Sequence, residues 1–367
     1  MKNLSVYNVN SDISTIIRLS ADVSEGGVNF VSSPKSWGLV GRDFGEVDGG
    51  PILNKTIVEN KELHTLVGDG DTVLFDYLED KNSGVEDIFR DIRNVEKKGA
   101  HIILTERVPL YEEFESDSSK LYRLTSHRES ALKDANIFWK WNHMFDLDSP
   151  AILLYKMGNH CDTFYTLVSL KNFFSKLGYK VLAVSADPLA KLFDIESVPQ
   201  FLYDNISIEE KTVRLNQSMK LYEQNNDIDI FLIDVPGNMM PINSHHHNGF
   251  SYWADMFTYA AKPEIGIVST YLMEFTEQYF RELTNMCKYR YGLDKVFFNV
   301  CNYTMEKTGP DSQAPLLYGQ VRYDVVNEKI KDLLANEHKI FSIYNKELLI
   351  DSFNFILNDS TASYASI

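Results

Sequence analysis

The first half of the chain alternates short apolar runs with one segment of helical periodicity. Leu39–Val40, ahead of a glycine-rich stretch, indicates a strand and a turn, and Thr72–Asp76 is an apolar run typical of a buried strand. Val85–Lys98 carries apolar residues at helical spacing and is followed by Gly99, a residue that commonly ends helices. His101–Thr105 indicates the next strand. Strand, helix and strand at this spacing form a βαβ unit, which predicts a parallel sheet.

The second half repeats this rhythm more clearly. Thr163–Leu177 has the pattern of a helix, and Gly178 follows it. Five apolar runs predict strands: Ala151–Tyr155, Lys180–Val184, Ile228–Asp234, Ile265–Ser269 and Lys295–Val300. The predicted fold class is therefore α/β, with two Rossmann-like, doubly wound domains. The second is expected to be a degenerate relative of P-loop nucleotide-binding domains, with a parallel sheet and helical crossovers.

The domain boundaries follow from loop composition. Asp146–Pro150 precedes a sharply apolar run and is the predicted linker. We therefore expect an N-terminal α/β domain over residues 1–148 and a C-terminal P-loop-like domain over 149–350. Residues 351–367 are expected to hold the end of a helix and a frayed polar tail after Asp359. The charged stretch Glu112–Arg123 is expected to be exposed.

Charge and cysteine content narrow the possible partners. The 367 residues carry a formal charge of −16, which disfavours binding to nucleic acid or to anionic membranes. Cys161, Cys287 and Cys301 are far apart in sequence and do not form a disulfide framework. No run approaches the ~20 apolar residues of a membrane span, and Met1–Val6 does not resemble a signal peptide. The composition predicts a cytoplasmic protein.

The first candidate site is the loop between the first strand of the second half and its helix. A short loop that contains a glycine and leads into a helix N-terminus can hold phosphate through backbone N–H groups. Counted from the glycine, Thr163 stands where a P-loop has its second glycine, the P-loop lysine is missing, and Asp162 would repel phosphate. A helix N-cap formed by Asp162 or Thr163 is the simpler interpretation. The candidate cofactor-binding residues are Gly158, Asn159, His160, Cys161, Asp162 and Thr163.

Two acidic loops follow neighbouring predicted strands. Asp234 ends the most apolar strand and precedes Pro236 and Gly237, a pattern similar to the element that positions Mg²⁺ in P-loop enzymes. Asp187 follows another strand and is expected to face the same crevice. A turn shaped by the prolines is the simpler interpretation of both loops. Asp234 is the candidate metal ligand, and Mg²⁺ with ATP or GTP is the candidate cofactor.

Other motifs carry weaker signals. Cys161 beside His160 could form a nucleophile, although neighbouring residues need not face each other, and an inert buried thiol is the simpler interpretation. His245–His247 cannot converge on one ion because the side chains of consecutive residues diverge; a surface loop is expected, and the role of these histidines stays open. Asn299–Asn302 lacks the lysine and the aspartate that read guanine. The aromatic clusters Trp139–Trp141 and Tyr289–Tyr291 could line a peptide-binding groove.

Several motifs of the second half together resemble a known family. Besides the loop at 158–163, they are Phe173–Val181, the stretch Pro236–Asn243 and Ala261–Pro263. In these the chain is similar to the peptide maturation system proteins of clostridia and related Gram-positive bacteria. Those proteins are encoded in clusters for ribosomally made, modified peptides of the bacteriocin type, alongside radical SAM enzymes. The resemblance covers most of residues 150–320 and implies a role in peptide maturation, but it supplies no catalytic residue.

Three functions remain at this point. The favoured one is a non-catalytic accessory protein that binds a precursor peptide or a radical SAM modifying enzyme, with a homodimer as a possible state. The second is a Mg²⁺-dependent nucleotide-binding enzyme, a hydrolase or a ligase, with Gly158, Asp187 and Asp234 lining the site. For that enzyme, Lys156 could replace the missing P-loop lysine. The third is an α/β module whose crevice binds nothing.

Overall fold

The computed structural model describes residues 3–78, 85–109, 120–125, 129–134, 143–306, 313–333 and 339–364. The chain divides into two compact units. The first comprises Met1–Ser126 with Lys191–Asp194, and the second comprises His127–Ala190 with Ile195–Ile367. This division lies earlier in the chain than the boundary predicted after residue 148. The predicted linker is bound to the second unit, where the Ser149 N–H donates to Glu223 Oε1 at 2.6 Å.

The first unit is built on a six-stranded sheet in which every pair of neighbours is parallel. Its strands are β1 (Leu4–Tyr7), β2 (Val28–Ser33), β3 (Ile57–Glu59), β4 (Thr72–Phe75), β5 (His101–Leu104) and β6 (Leu121–Arg123). Its helices are α1 (Ser14–Arg18), α2 (Gly45–Asp48), α3 (Asn60–Leu66) and α4 (Val85–Glu96). The order across the sheet is β3-β2-β1-β4-β5-β6, the doubly wound order of Rossmann folds.

The βαβ prediction for the first unit is confirmed in β4, α4 and β5. Helix α4 buries Ile88, Ile92 and Val95, which lie on one face and pack against the apolar side chains of the sheet. Gly99 after the helix has a φ of +81°, the left-handed conformation that favours glycine. Leu39–Val40 lies in a turn outside any strand, so that prediction was wrong in its strand part.

A buried carboxylate ties together the ends of three neighbouring strands in the first unit. Asp76, directly after β4, is fully buried and accepts hydrogen bonds from Asn10 Nδ2 and Thr105 Oγ1, each at 2.6 Å. The Arg107 guanidinium binds both oxygens of the same carboxylate, with Nε at 2.9 Å from Oδ1. A charge this deeply buried is tolerated because a cation and neutral donors surround it.

The second unit is built on a seven-stranded parallel sheet. Its strands are β7 (Ala151–Lys156), β8 (Val181–Ser185), β9 (Glu196–Ser197), β10 (Ile230–Asp234), β11 (Ile265–Thr270), β12 (Lys295–Val300) and β15 (Lys339–Phe341). They run in the order β15-β12-β11-β7-β10-β8-β9. An antiparallel hairpin, β13 (Tyr303–Met305) with β14 (Tyr318–Gln320), follows β12. The helices are α5 (Phe164–Lys176), α6 (Ile208–Asn226), α7 (Tyr252–Ala261), α8 (Glu277–Tyr291), α9 (Tyr323–Leu333) and α10 (Lys346–Tyr364).

All five strands predicted in this half are present, with bounds shifted by at most two residues. They are buried along almost their whole length, as expected of strands covered by helices on both faces. Helix α10 runs to Tyr364, through residues expected to fray after Asp359. Most of the charged stretch Glu112–Arg123 and the cluster Trp139–Trp141 lie outside the described residues. In the described part of the chain, no helix has both the length and the apolar character that a membrane crossing requires.

Candidate functional site

The candidate residues of the second unit meet at the carboxyl edge of its sheet. Strand β7 lies between β10 and β11, and β8 lies next to β10, so the loops after these strands are neighbours. This is the edge where open α/β sheets bind ligands. The structure places there the loop Gly158–Thr163, Asp187 and Asp234, with Pro236 and Gly237 directly after Asp234.

Asp234 is the centre of the hydrogen bonds at this edge. Thr163 Oγ1 donates to Asp234 Oδ1 at 2.6 Å, and Ser185 Oγ donates to Asp234 Oδ2 at 2.8 Å. All three side chains are buried, and they link the loops after β7, β8 and β10. In P-loop enzymes a serine or threonine and an aspartate at this edge hold Mg²⁺ together. Here the hydroxyl groups and the carboxylate bind each other.

The N-terminus of α5 differs from a phosphate site in its charge. Asp162 Oδ1 accepts from the N–H groups of Phe164 and Tyr165, at 2.8 and 3.2 Å, and so caps the helix. If Thr163, the partner of Asp234, takes the place of the P-loop threonine, then Asp162 stands where the P-loop lysine would be. The count from Gly158 instead places Thr163 at the second glycine of a P-loop. A carboxylate in the lysine position repels phosphate instead of binding it.

Two carboxyl groups at this edge have raised pKa values. Burial raises the pKa of Asp187 to about 7, with further contributions from the negative charges of Asp234 and Asp162. Burial likewise raises the pKa of Asp162 to about 6, and the Asp234 charge adds to the shift. The Lys156 ammonium lowers both pKa values and so partly offsets these effects. The edge therefore gathers more negative charge than the nearby cation neutralises.

Aromatic side chains cover the first half of the loop Gly158–Thr163. Tyr271 Oη donates to the Asn159 carbonyl at 2.7 Å. A Cβ added to Gly158 would lie 2.2 Å from Tyr271 Oη. The His160 ring stacks on Tyr303, with centroids 5.0 Å apart, and meets Tyr318 edge-on at 4.8 Å. Tyr271, directly after β11, and two side chains of the β13–β14 hairpin thus lie against this loop.

The sequence did not identify these aromatic residues as part of the site. Tyr271 follows β11 directly, at the same sheet edge as the candidate loops, and that position was the available signal. Tyr303 and Tyr318 carry no comparable signal, because the hairpin that presents them is not marked by any motif. Asn299, which lacks the partners needed to read guanine, instead donates from Nδ2 to the Asp162 carbonyl at 3.2 Å.

Gly237, His246 and His247, which the sequence also singled out, make contacts within the second unit. Gly237 has a φ of +70° and lies against Trp253, 3.1 Å from the position that a Cβ would occupy. His246 Nε2 lies 3.0 Å from the Ala314 carbonyl, and the His247 ring stacks on Phe250. Across the described part of the chain, no group of three or more His, Cys, Asp or Glu side chains is arranged to hold a metal ion.

The fold and this edge define a two-unit α/β protein whose second sheet has a loop at the P-loop position. No protein-family model and no curated protein matches the chain. A solved structure similar to it is a DUF1611 family protein from Anabaena variabilis ATCC 29413, with 12% identity and a TM-score of 0.54. That likeness covers 96% of this chain and 99% of the other, and it concerns the fold alone.

Two structures of cobyrinic acid a,c-diamide synthase from Mycobacterium smegmatis also match part of the chain. One has an ATP analog and magnesium bound, with 13% identity, 41% of this chain and 72% of that chain covered, and a TM-score of 0.27. The other has ADP and magnesium bound, with 13% identity, 50% and 82% covered, and a TM-score of 0.29. At these TM-scores the superpositions carry no argument about the site.

Proposed function

We propose that this chain is a non-catalytic accessory protein in the maturation of a ribosomally synthesised, modified peptide. It would bind the precursor peptide, or a radical SAM enzyme that modifies it, without transferring a group itself. The family resemblance of residues 150–320 suggests this role. The single observation that supports it best is the Tyr271 hydroxyl, which lies against Gly158 and donates to the Asn159 carbonyl in the loop that corresponds to a P-loop.

A groove in the second unit offers a place for a peptide. It has a volume of about 910 Å³ and lies between α6, α7 and α8. Tyr259 lines it with 64% of its surface exposed, and Ile208 with 56%. Exposed aromatic and aliphatic side chains in a groove are common anchors for peptides. The charge of −16 over the whole chain favours a peptide with a basic leader segment.

The experiment is a binding titration with short peptides encoded beside the gene of this chain, synthesised with a fluorescent label. We expect one of them to bind, and Tyr259→Ala to weaken that binding about tenfold, as the loss of an aromatic anchor does. Tyr289→Ala is the matched control, because Tyr289 is 82% exposed but does not line the groove. If no such peptide and no radical SAM enzyme encoded beside the gene binds, the proposal is wrong.

A Mg²⁺-dependent nucleotide-binding enzyme is the second candidate. The observation that favours it is the arrangement of Thr163, Ser185 and Asp234, whose oxygens are of the type that Mg²⁺ prefers. Against it stand the Asp162 carboxylate and the aromatic cover, which do not fit a triphosphate. The residues present therefore suit the metal better than the nucleotide.

Thermal unfolding with Mg²⁺ and millimolar ATP or GTP separates the two candidates. A ligand at 100 times its Kd stabilises the folded state by about 2.7 kcal/mol, which would be visible as a rise in Tm. We expect no rise. A rise that is specific for nucleotide and is lost in Asp234→Asn would establish the second candidate in place of the first.

A further inference from the structure

Five sulfur-containing side chains lie in one small cluster at the carboxyl edge of the second sheet. We call these side chains the thiol–thioether cluster: Cys161, Cys301, Met157, Met273 and Met305. They belong to a larger apolar cluster that also contains Tyr271, Tyr303 and Tyr318. Cys161 belongs to the loop after β7 and Cys301 follows β12, so different strands bring the two thiols together. Both cysteines are only 2% exposed, whereas the methionines are partly buried and lie around them.

The two thiols interact directly. A side-chain hydrogen bond joins Cys161 and Cys301. Asn299 Nδ2 lies 3.7 Å from Cys301 Sγ and can donate to it. Such a donor supports a metal-bound thiolate, because it stabilises negative charge on the sulfur.

The chemistry of this donor set selects a particular kind of ion. Thiolate and thioether sulfurs are soft ligands, which favour copper(I) over harder divalent ions. Structural zinc sites use four ligands from Cys, His or carboxylates. The cluster supplies two thiols and neighbouring thioethers. This set of donors suits an ion of low coordination number better than it suits four-coordinate zinc.

We propose that Cys161 and Cys301 bind one monovalent soft metal ion of the copper(I) type, with a methionine of the cluster as a further ligand. A thiol that binds as thiolate gives its proton to solvent, and the ion keeps its oxidation state, so no electron is transferred. This site does not depend on the proposed role in peptide maturation, and either can fail without the other.

The test is an anaerobic titration of the reduced chain with copper(I), in competition with the chromophoric chelator bicinchoninate. We expect one copper(I) per chain to be withdrawn from the chelator. Cys161→Ser and Cys301→Ser should each abolish this stoichiometric binding. Cys287→Ser is the matched control and should leave it unchanged, because Cys287 is a buried free thiol on α8 outside the cluster.

Folding and ligand identity need separate controls. Circular dichroism and thermal unfolding of each metal-free variant will show whether it folds, and Cys→Ala replacements provide a second pair if serine is not tolerated. Replacing Met157, Met273 and Met305 together by leucine keeps the side-chain volume and should weaken copper(I) binding. The proposal is overturned if the wild type leaves the copper with bicinchoninate. Equal loss in Cys287→Ser, or unchanged binding in both cluster variants, would also overturn it.

Discussion

Thr163 and Asp234 are 71 positions apart in sequence and are joined by a buried hydrogen bond of 2.6 Å between Oγ1 and Oδ1. The bond connects the start of α5 to the end of β10, so it fixes a helix N-terminus against the neighbouring strand. In this chain the hydroxyl satisfies a carboxylate oxygen that would otherwise be buried without a partner. We therefore regard the pair first as a structural element, and as a metal site only under the second candidate function.

Removing this hydroxyl is expected to destabilise the second unit. Thr163→Val leaves Asp234 Oδ1 without its donor, and an unsatisfied buried acceptor costs about 1–3 kcal/mol. Urea-induced unfolding followed by circular dichroism measures the change. Thr304→Val is the matched control, since the Thr304 hydroxyl lies at an exposed position of the hairpin. A change there should stay within about 0.5 kcal/mol. Equal effects of the two variants would contradict a structural role for the bond.

Gly158→Ala is expected to displace Tyr271 or to lower the stability. The added Cβ would lie 2.2 Å from Tyr271 Oη and 3.1 Å from Cζ, well inside contact distance. Overpacking of this kind costs about 1–3 kcal/mol. Tyr271→Phe in the same chain removes the nearest atom and should recover part of the loss in a double-mutant cycle. The matched control is Gly68→Ala, whose Cβ would meet its nearest neighbour at 3.6 Å. Strictly additive effects of the Gly158 and Tyr271 changes would contradict the contact.

The raised pKa of Asp187 predicts a stability that falls as the pH rises. The pKa of Asp187 is about 7 in the folded chain and lies above the ordinary value of 3.8. Between these pH values Asp187 is therefore protonated in the folded chain and ionised in the unfolded chain. Folding therefore favours the protonated form, and this contribution is present in full below pH 3.8 and is lost as the pH approaches 7. One pKa unit corresponds to about 1.4 kcal/mol.

Asp187→Asn tests this dependence. The amide oxygen can still accept from the Leu189 N–H, which Asp187 Oδ1 now binds at 2.8 Å, but it cannot ionise. We expect the variant to gain stability over the wild type at pH 7.5 and to show a flatter curve of Tm against pH between 4 and 7. Asp187→Ala also removes the hydrogen bond from the Leu189 N–H. Comparing the two variants separates the effect of the charge on stability from the effect of this hydrogen bond. An unchanged slope in Asp187→Asn would contradict the assignment to Asp187.

In the first unit, Arg107→Met is expected to be strongly destabilising. It leaves the fully buried Asp76 carboxylate without its cation, and breaking a buried pair costs about 3–5 kcal/mol. Arg42→Met is the control, because the Arg42–Glu46 pair is exposed at 3.8 Å and should contribute less than about 1 kcal/mol. Urea unfolding of both variants provides the comparison. A loss below 1 kcal/mol for Arg107→Met would show that solvent or neighbouring groups compensate the charge.

Elements with strong periodicity could be predicted from the sequence, and weakly patterned ones could not. The amphipathic helix α4 and the apolar runs of β7, β10, β11 and β12 carry their burial in the sequence itself. Strand β2 ends in Ser32 and Ser33, which are fully buried although they are polar, so no apolar run marks it. Strands β3, β9 and β15 have at most three residues each and offer too few positions for a pattern.

The candidate site also contains features that could be predicted from the sequence and features that could not. Loops that follow buried strands could be placed at one edge because parallel strands end there together, and the structure gathers those loops as expected. The cover of the loop could not be predicted, since the Tyr271–Asn159 bond joins residues 112 positions apart. The pairing of Thr163 and Ser185 with Asp234 was missed for the same reason. Such contacts depend on tertiary packing and leave no local pattern.

Tyr271, which lies against Gly158, is an intramolecular contact of the loop and is covalently part of the same chain. A tethered group acts at an effective concentration set by its linker, which reaches millimolar values even for short flexible chains. Tyr271 directly follows the buried strand β11, so under the second candidate function a phosphate compound would have to displace this side chain. Under the proposed accessory role, we expect partner binding to be independent of the ATP and ADP concentrations.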